Sequence, residues 1–129
     1  MARFNPVTPE LVNQLRLLAG KENVLTGLEE KEPYSCDEMC LPQPHLPEVV
    51  VKPTDTAAVS GILAVANEAR VPVTPRGGGT GLSGGAIPVF GGILMSLQKM
   101  DRIIEIDEAN LMAVVQPGVP LAELYQAAE

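Results

Sequence analysis

The feature that most constrains this chain is a glycine-rich stretch from Val71 to Phe90, VPVTPRGGGTGLSGGAIPVF. Six of the nine residues from Gly77 to Gly85 are glycine. Glycine loses more backbone freedom on folding than any other residue, so such a loop is costly to order. A ligand that needs backbone N–H groups brought close would offset that cost, and phosphate or pyrophosphate is the commonest ligand of this kind. Arg76 is the only charged residue between Val71 and Gln98, and its charge suits an anion.

The residues that flank the glycines exclude two common phosphate loops. The segment from Gly79 to Gly84 fits G-x-G-x-x-G and follows a strand-like run. A dinucleotide fingerprint also needs a helix that begins inside the motif, but Pro88 and further glycines follow at once, and no helix propagates through them. A Walker loop needs Lys-Ser or Lys-Thr after the glycines, and neither is present. The remaining interpretation is a loop that wraps a pyrophosphate with its own amides and then enters another strand.

Three separated motifs carry a resemblance to a known family. The residues from Pro75 to Ala86, PRGGGTGLSGGA, resemble the FAD pyrophosphate loop of the vanillyl-alcohol oxidase and p-cresol methylhydroxylase (PCMH-type) flavoproteins. Within that group the run is most similar to the glycolate oxidase flavoprotein subunit and to D-lactate or D-2-hydroxyglutarate dehydrogenases. PEVVVKPTD from Pro47 to Asp55 and VQPGV from Val115 to Val119 match the flanking motifs in family order. The resemblance covers about residues 34 to 129.

The resemblance implies an α+β fold, the first lobe of a PCMH-type FAD-binding domain. We expect residues 1–40 to form an N-terminal helix and connector, and residues 41–129 to form the first part of the FAD-binding domain. The sequence stops inside a helix without a C-cap. We therefore expect a truncated domain, from which the second lobe and a cap domain are absent.

Hydrophobic periodicity and turn residues predict the elements of this lobe. In chain order they are a helix from Thr8 to Gly20, a brief extended contact at Val24 and Leu25, a strand Glu48–Lys52, a helix from about Asp55 to Arg70 capped by Thr54, strands Val71–Pro75, Ile93–Leu97, Ile103–Asp107 and Leu111–Gln116, and a helix opened by Pro120. The first long strand, the helix and the next strand form a right-handed βαβ unit with parallel strands. The connections after the glycine loop are too short for helices, so the last three strands are expected to be antiparallel.

The resemblance also implies which residues bind the cofactor. They are Pro75, Arg76, Gly77, Gly78, Gly79, Thr80, Gly81, Leu82, Gly84, Gly85, Ala86, Pro117 and Gly118. The amides of residues 77–81 would cradle the pyrophosphate, the Thr80 hydroxyl would add a donor, and Arg76 would either pair with a phosphate or brace the loop from outside. Residues 84–86 would allow close approach of the ribityl chain or flavin ring, and residues 117–118 would form a further wall. No catalytic residue and no metal ligand is assigned to the chain.

The connector before this domain carries three further candidates. Cys36, Cys40 and His45 suggest a metal site, but a closed zinc or iron–sulfur site needs four ligands, so free thiols are favoured. Tyr34 and Asp37 occupy positions at which the family carries a tyrosine and an aspartate. Either this loop approaches the flavin or it is only anchored, and anchoring is favoured.

The cofactor is expected to be non-covalent FAD. Some family members attach the flavin to a histidine directly after the glycines, whereas this sequence reads Gly79-Thr80-Gly81 there, and His45 is its only histidine. By resemblance, the longer parent would oxidise a 2-hydroxy acid by hydride transfer to flavin N5, and the fragment alone would be inactive. Two alternatives stay open: a different enzyme on the same flavin fold, or a non-catalytic module that binds FAD or completes another subunit.

Composition limits the partners. The net charge of −7 disfavours nucleic acid, and no apolar run approaches the roughly 18 residues of a membrane span. The resemblance implies a small 2-hydroxy acid bound through the missing cap domain, and an electron-acceptor subunit. We expect a cytoplasmic protein, with attachment to the inner membrane through partner subunits as an open alternative, and self-association of the fragment through an unpaired sheet edge.

Overall fold

The computed structural model describes residues 3–38 and 43–129 and contains the expected elements together with a short helix, Leu28–Lys31, that the sequence did not predict. They are α1 Pro9–Ala19, β1 Val24–Leu25, α2 Leu28–Lys31, β2 Val49–Val51, α3 Thr56–Ala69, β3 Val73–Arg76, β4 Ile93–Ser96, β5 Ile103–Asp107, β6 Met112–Val115 and α4 Leu121–Ala128. Single 3₁₀ turns at Lys21–Asn23 and Glu32–Tyr34 follow α1 and α2. The mixed α and β content agrees with the predicted fold class.

Helix α1 begins and ends where its sequence predicts. The Thr8 hydroxyl accepts a hydrogen bond from the Leu11 amide at 3.2 Å, and Gly20 ends the helix with φ of +93°. Leu11 and Leu15 are almost fully buried. They belong to one core together with Ile62 of α3 and the sheet, so α1 and α3 cover the same face of the sheet.

The main sheet has four strands in the order β1-β2-β4-β3. Strands β2 and β3 both run parallel to β4, and β1 pairs antiparallel with the outer side of β2. Val49, Ile93 and Met95 belong to the core under the helices. Val50 and Leu94 alternate with them and are also fully buried. Both faces of β2 and β4 are therefore covered, as is usual for parallel strands.

Two details of the sequence prediction are wrong. Strand β4 was expected in the antiparallel part, but it lies between β2 and β3 and is parallel to both. The glycine loop, residues 77–92, returns the chain from the end of β3 to the opposite edge of the sheet, where β4 begins. It is longer than the roughly twelve residues that a parallel connection requires, so it can make this crossover without a helix. The cap of α3 is Asp55 instead of Thr54: its carboxylate accepts from the Ala58 amide at 2.7 Å.

The return of the loop into β4 depends on a tight bend at Gly92. Its φ is +69°, and a Cβ at this position would overlap the carbonyl oxygen of Pro72. The Glu48 carboxylate fixes the bend, since it accepts from the amides of Gly92 at 2.8 Å and Val7 at 3.0 Å. The start of β4 is thereby tied to the start of β2.

Strands β5 and β6 pair antiparallel as a separate two-stranded sheet, as expected, and α4 packs beside β5. In the turn between β5 and β6, the amide and side-chain nitrogens of Asn110 donate to the Asp107 carboxylate. Large apolar side chains are exposed on this part, among them Leu111, Met112 and Tyr125. Self-association through such a surface stays a prediction.

The N-terminal segment shares the core of the domain that follows it. Leu11, Leu15 and Val24 belong to the same core as β2, β4 and α3, and β1 is an edge strand of the main sheet. The boundary expected near residue 40 stays a prediction. None of the α-helices in residues 3–38 and 43–129 has the length and apolarity that a membrane span requires.

Candidate functional site

The glycine loop begins at the carboxyl edge of the sheet. Strands β2, β4 and β3 are parallel, so Lys52, Leu97 and Gly77, which directly follow them, lie along one edge. The Leu97 amide donates to the Arg76 carbonyl at 2.8 Å, which holds the ends of β4 and β3 together. Ligands of α/β sheets bind at this edge.

The loop presents a row of free backbone donors. The amides of residues 77–86 donate no hydrogen bond to any other residue that the structure describes. Most of these residues are exposed, including Gly77, Gly78, Thr80 and Gly81. Hydrogen bonding within the loop resumes at Ile87, whose amide donates to the Gly84 carbonyl at 3.2 Å. Consecutive unpaired amides are the donors that a phosphate group needs.

Arg76 lies against the connector, with two backbone carbonyls and an aromatic ring as its neighbours. Nη1 donates to the Cys36 carbonyl at 2.8 Å and Nη2 to the Pro33 carbonyl at 3.4 Å. The guanidinium carbon lies 5.6 Å from the centre of the Tyr34 ring. Within residues 3–38 and 43–129 no ion pair to Arg76 occurs, and carbonyl dipoles and a ring face contact its guanidinium.

The same guanidinium touches the glycine loop on its other side. Gly79 has φ of +72°, and a Cβ there would overlap Nη2 and lie 2.6 Å from Nε of Arg76. Only glycine lets the loop backbone approach the guanidinium this closely. Of the two roles that the sequence left open for Arg76, its contacts correspond to bracing the loop.

The remaining loop residues fall into two groups. Gly81 and Gly85 have no atom within 4 Å of an added Cβ and no positive φ, so the folded chain itself does not require glycine there. Leu82 is exposed at 72%, whereas Ile87 and Pro88 anchor the far end of the loop in the core. The tip of the loop is thus accessible, and space remains beside its backbone.

The turn at Pro117 and Gly118 lies beside the start of the loop, and its role as a wall of the cofactor site stays a prediction. The Pro117 carbonyl oxygen is 3.6 Å from the position of a Cβ on Gly77. Gly118 donates to the Met100 carbonyl at 2.8 Å, and an added Cβ would overlap the Leu97 carbonyl. The turn is therefore packed against the end of β4 and borders the loop.

The sequence-predicted site residues did not include Lys52, Ser96 and Gln98, which lie at this edge. Lys52 Nζ lies 5.7 Å from the centre of the Tyr34 ring. Gln98 Oε1 accepts from the Tyr34 hydroxyl at 3.4 Å and from Ser96 Oγ at 3.1 Å. Their position directly after or at the end of parallel strands was the available signal, because side chains there share the ligand edge.

The cysteine and histidine candidates of the connector do not assemble into a site among the described residues. Cys36 is exposed, and its backbone carbonyl accepts a hydrogen bond from Arg76. His45 donates its amide to the Ser35 carbonyl at 3.0 Å, and Cys40 lies outside the described residues. Within the described ranges no group of three or more His, Cys, Asp or Glu side chains could hold a metal ion.

Comparison with known proteins agrees with this geometry. The family model described as "FAD binding domain" matches residues 47–129. A D-lactate dehydrogenase of Anaerostipes hadrus is 41% identical over 98% of this chain, and a glycolate oxidase subunit GlcD of Bacillus subtilis is 40% identical over 95%. The chain spans about a quarter of the length of these curated relatives, 26% in each case.

A solved structure shares the fold. The crystal structure of p-cresol methylhydroxylase with substrate bound superposes with a TM-score of 0.80 and 31% sequence identity, over 92% of this chain and 24% of that one. The match therefore extends N-terminal of the region that the family model covers. Motifs, fold and both kinds of comparison agree: the chain belongs to the FAD-binding domain family of PCMH-type flavoproteins.

Proposed function

We propose that residues 77–86 bind the pyrophosphate of FAD, and that the chain is the cofactor-binding portion of an oxidoreductase that acts on a 2-hydroxy acid of the glycolate or D-lactate type. One observation carries the proposal: in an exposed loop beside Arg76, the amides of residues 77–86 have no hydrogen-bond acceptor among the described residues, and Arg76 has no carboxylate partner among them either. Membership of the FAD-binding domain family supports the cofactor. The names of the relatives, D-lactate dehydrogenase and glycolate oxidase subunit, support the substrate class.

The loop is suited to a pyrophosphate for two reasons. First, donors that are fixed before the ligand arrives need no reorganisation on binding, and an anion gains from each of them. The amides of residues 77–81 and the Thr80 hydroxyl would donate to phosphate oxygens, and Arg76 would add its field from behind the loop. Second, Gly81 and Gly85 leave open space where side chains would otherwise stand. The backbone there can approach a ribityl chain or ring directly.

The residues of this chain supply binding and orientation. When bound, the flavin supplies a hydride acceptor at N5 for oxidation of the α-carbon of a hydroxy acid. We assign no catalytic residue to the chain. We expect the chain alone, loaded with FAD, to leave D-lactate and glycolate unoxidised in a dye-reduction assay; dye reduction above a no-protein blank would contradict this.

We further propose that the flavin is held without a covalent bond. The loop carries no histidine, and the Gly79-Thr80-Gly81 run stands where other members of the group attach the cofactor. Precipitation of the FAD-loaded protein with trichloroacetic acid should leave the yellow colour in the supernatant. A yellow pellet would refute non-covalent binding.

The decisive experiment is a titration of the chain with FAD and, separately, with riboflavin, followed by flavin fluorescence. FAD should bind at least tenfold more tightly, because riboflavin lacks the pyrophosphate. Arg76→Ala should weaken FAD binding by about tenfold, or ~1.4 kcal/mol, because it removes both the support behind the loop and the nearby positive charge. Arg70→Ala is the matched control, since it removes the same charge before the opposite end of β3. Equal affinities for FAD and riboflavin would refute the pyrophosphate assignment.

A further inference from the structure

The connector at residues 33–36 precedes the stretch that matches the family model, yet it supplies the contacts that hold Arg76. We propose that Tyr34 is a positioning residue: it fixes the guanidinium of Arg76 beneath Gly79 and so holds the loop amides in place for the pyrophosphate. This inference rests on the proposed function, which it extends to a residue outside the glycine loop.

Residues 33–36 hold the side chain of Arg76 in place. Its guanidinium lies over the Tyr34 ring at 5.6 Å while Nη1 and Nη2 donate to the carbonyls of Cys36 and Pro33. Arginine prefers an aromatic face together with planar hydrogen bonds because its guanidinium is flat and delocalised. All three contacts come from one short segment, so that segment determines where the guanidinium lies.

The guanidinium of Arg76 in turn supports the backbone of the glycine loop. Gly79 approaches Arg76 so closely that an added Cβ would overlap the guanidinium. The guanidinium is therefore enclosed between the connector and the loop backbone. A displacement of Arg76 would remove the support under Gly79 and leave the neighbouring amides free to reorient.

Tyr34 is itself held by Gln98 and Lys52. The ring is half-buried, and its hydroxyl donates to Gln98 Oε1 at 3.4 Å, an oxygen that also accepts from Ser96 Oγ at 3.1 Å. Lys52 Nζ lies 5.7 Å from the ring centre. Tyr34 is thus held by residues that follow β2 and β4, the strands beside the loop. A side chain held from two parallel strands can support Arg76 at the end of β3.

The test uses three variants of the 129-residue chain. Tyr34→Leu removes the aromatic face, Tyr34→Phe keeps it and loses only the hydroxyl, and Tyr125→Leu changes the other tyrosine, which lies on α4. The first readout needs no ligand: heteronuclear ¹H–¹⁵N NOE values of the amides of residues 77–81 report their order. Tyr34→Leu should lower these values selectively, whereas Tyr34→Phe and Tyr125→Leu should leave them unchanged.

The second readout is the FAD dissociation constant. Tyr34→Leu should raise it by about two- to fivefold, as expected for one cation–π contact, with riboflavin binding unchanged. In the Arg76→Ala background the same substitution should add nothing, because Tyr34 acts through Arg76. A purely structural role would lower stability without this loss of additivity.

The outcomes separate the two proposals. Unchanged loop NOE values in Tyr34→Leu would overturn the positioning role, whatever FAD does. A second outcome is that Tyr34→Leu lowers the loop NOE values while the wild-type chain binds FAD no more tightly than riboflavin. That result would support the positioning role and refute the proposed function. If Tyr34→Leu fails to fold, Arg76→Lys replaces it: lysine keeps the charge but lacks the planar fork, so the same drop in NOE values is expected, and its absence would overturn the inference.

Discussion

A series of three glycine substitutions tests how the loop re-enters the sheet. Gly85, Gly91 and Gly92 lie within eight positions of one another but meet different obstacles. An alanine Cβ at Gly85 has open space and an ordinary φ. At Gly91, φ is +70° and the Cβ meets the Glu48 side chain, with Oε2 at 3.3 Å; this oxygen also accepts from the Gly92 amide, but it can shift by a few tenths of an ångström more easily than backbone can. At Gly92, φ is +69° and the Cβ meets the backbone of Pro72 and lies 2.6 Å from its Cγ.

The expected losses of stability follow from these obstacles. Gly85→Ala should leave the free energy of unfolding unchanged or raise it by up to about 1 kcal/mol, because alanine restricts the unfolded chain. Gly91→Ala should lower it by about 1 kcal/mol, the strain of a left-handed residue. Gly92→Ala combines that strain with a collision against backbone that cannot rotate away, so a loss of about 2 to 5 kcal/mol is expected.

The assay is urea unfolding followed by far-UV circular dichroism, because the chain has no tryptophan to report by fluorescence. With a urea m-value of about 1.5 kcal/mol/M, the midpoint for Gly92→Ala should fall by more than about 1 M. The order Gly85, Gly91, Gly92 is the essential result. If Gly92→Ala unfolds at the same urea concentration as Gly91→Ala, the collision with Pro72 is not a real constraint and the argument for the bend fails.

Two further predictions concern the scaffold and its pH dependence. Asp55→Ala should lower the melting temperature through the loss of about 1 kcal/mol, since it removes the oxygen that accepts from the Ala58 amide; Asp55→Ser should restore most of it, and an unchanged melting temperature would refute the cap. The side-chain and backbone hydrogen bonds from Asn110 lower the pKa of Asp107 below its ordinary value. The stability that this carboxylate contributes is therefore complete above the unfolded-state pKa and is lost as pH falls through the lower folded-state pKa. Carboxyl NMR titration of Asn110→Ala should show the pKa of Asp107 raised toward its ordinary value, and no change would contradict the assignment.

The sequence predicted the elements well because each had a local chemical cause. Thr8 caps α1, Gly20 ends it, and the β-branched run at residues 49–51 forms a buried strand. The glycine loop was located at the end of a strand by the same local signals. Such features depend on residues close in sequence, so they can be read without knowledge of the fold.

The pairing of β4 could not be predicted in this way. The short connections after the glycine loop suggested that β4 is antiparallel to its neighbours, whereas the chain returns through residues 77–92 and inserts β4 between β2 and β3, parallel to both. The insertion depends on Glu48, which holds the Gly92 amide across 44 positions of sequence. A contact of that separation leaves no periodic pattern, and the glutamate reads as an ordinary exposed strand residue.

The support of the loop was hidden from the sequence for a different reason. Two of the three contacts on Arg76 are made by backbone carbonyls, at Pro33 and Cys36, and every residue type carries a carbonyl. Only Tyr34 contributes a side chain that composition could flag. The family model matches only from residue 47, although contacts from residues 33–36 hold the guanidinium under Gly79. The physical unit that presents the loop amides therefore begins at least as early as Pro33. A version of this domain cut at the start of the matched stretch would lose the residues that hold Arg76 while keeping every glycine of the loop.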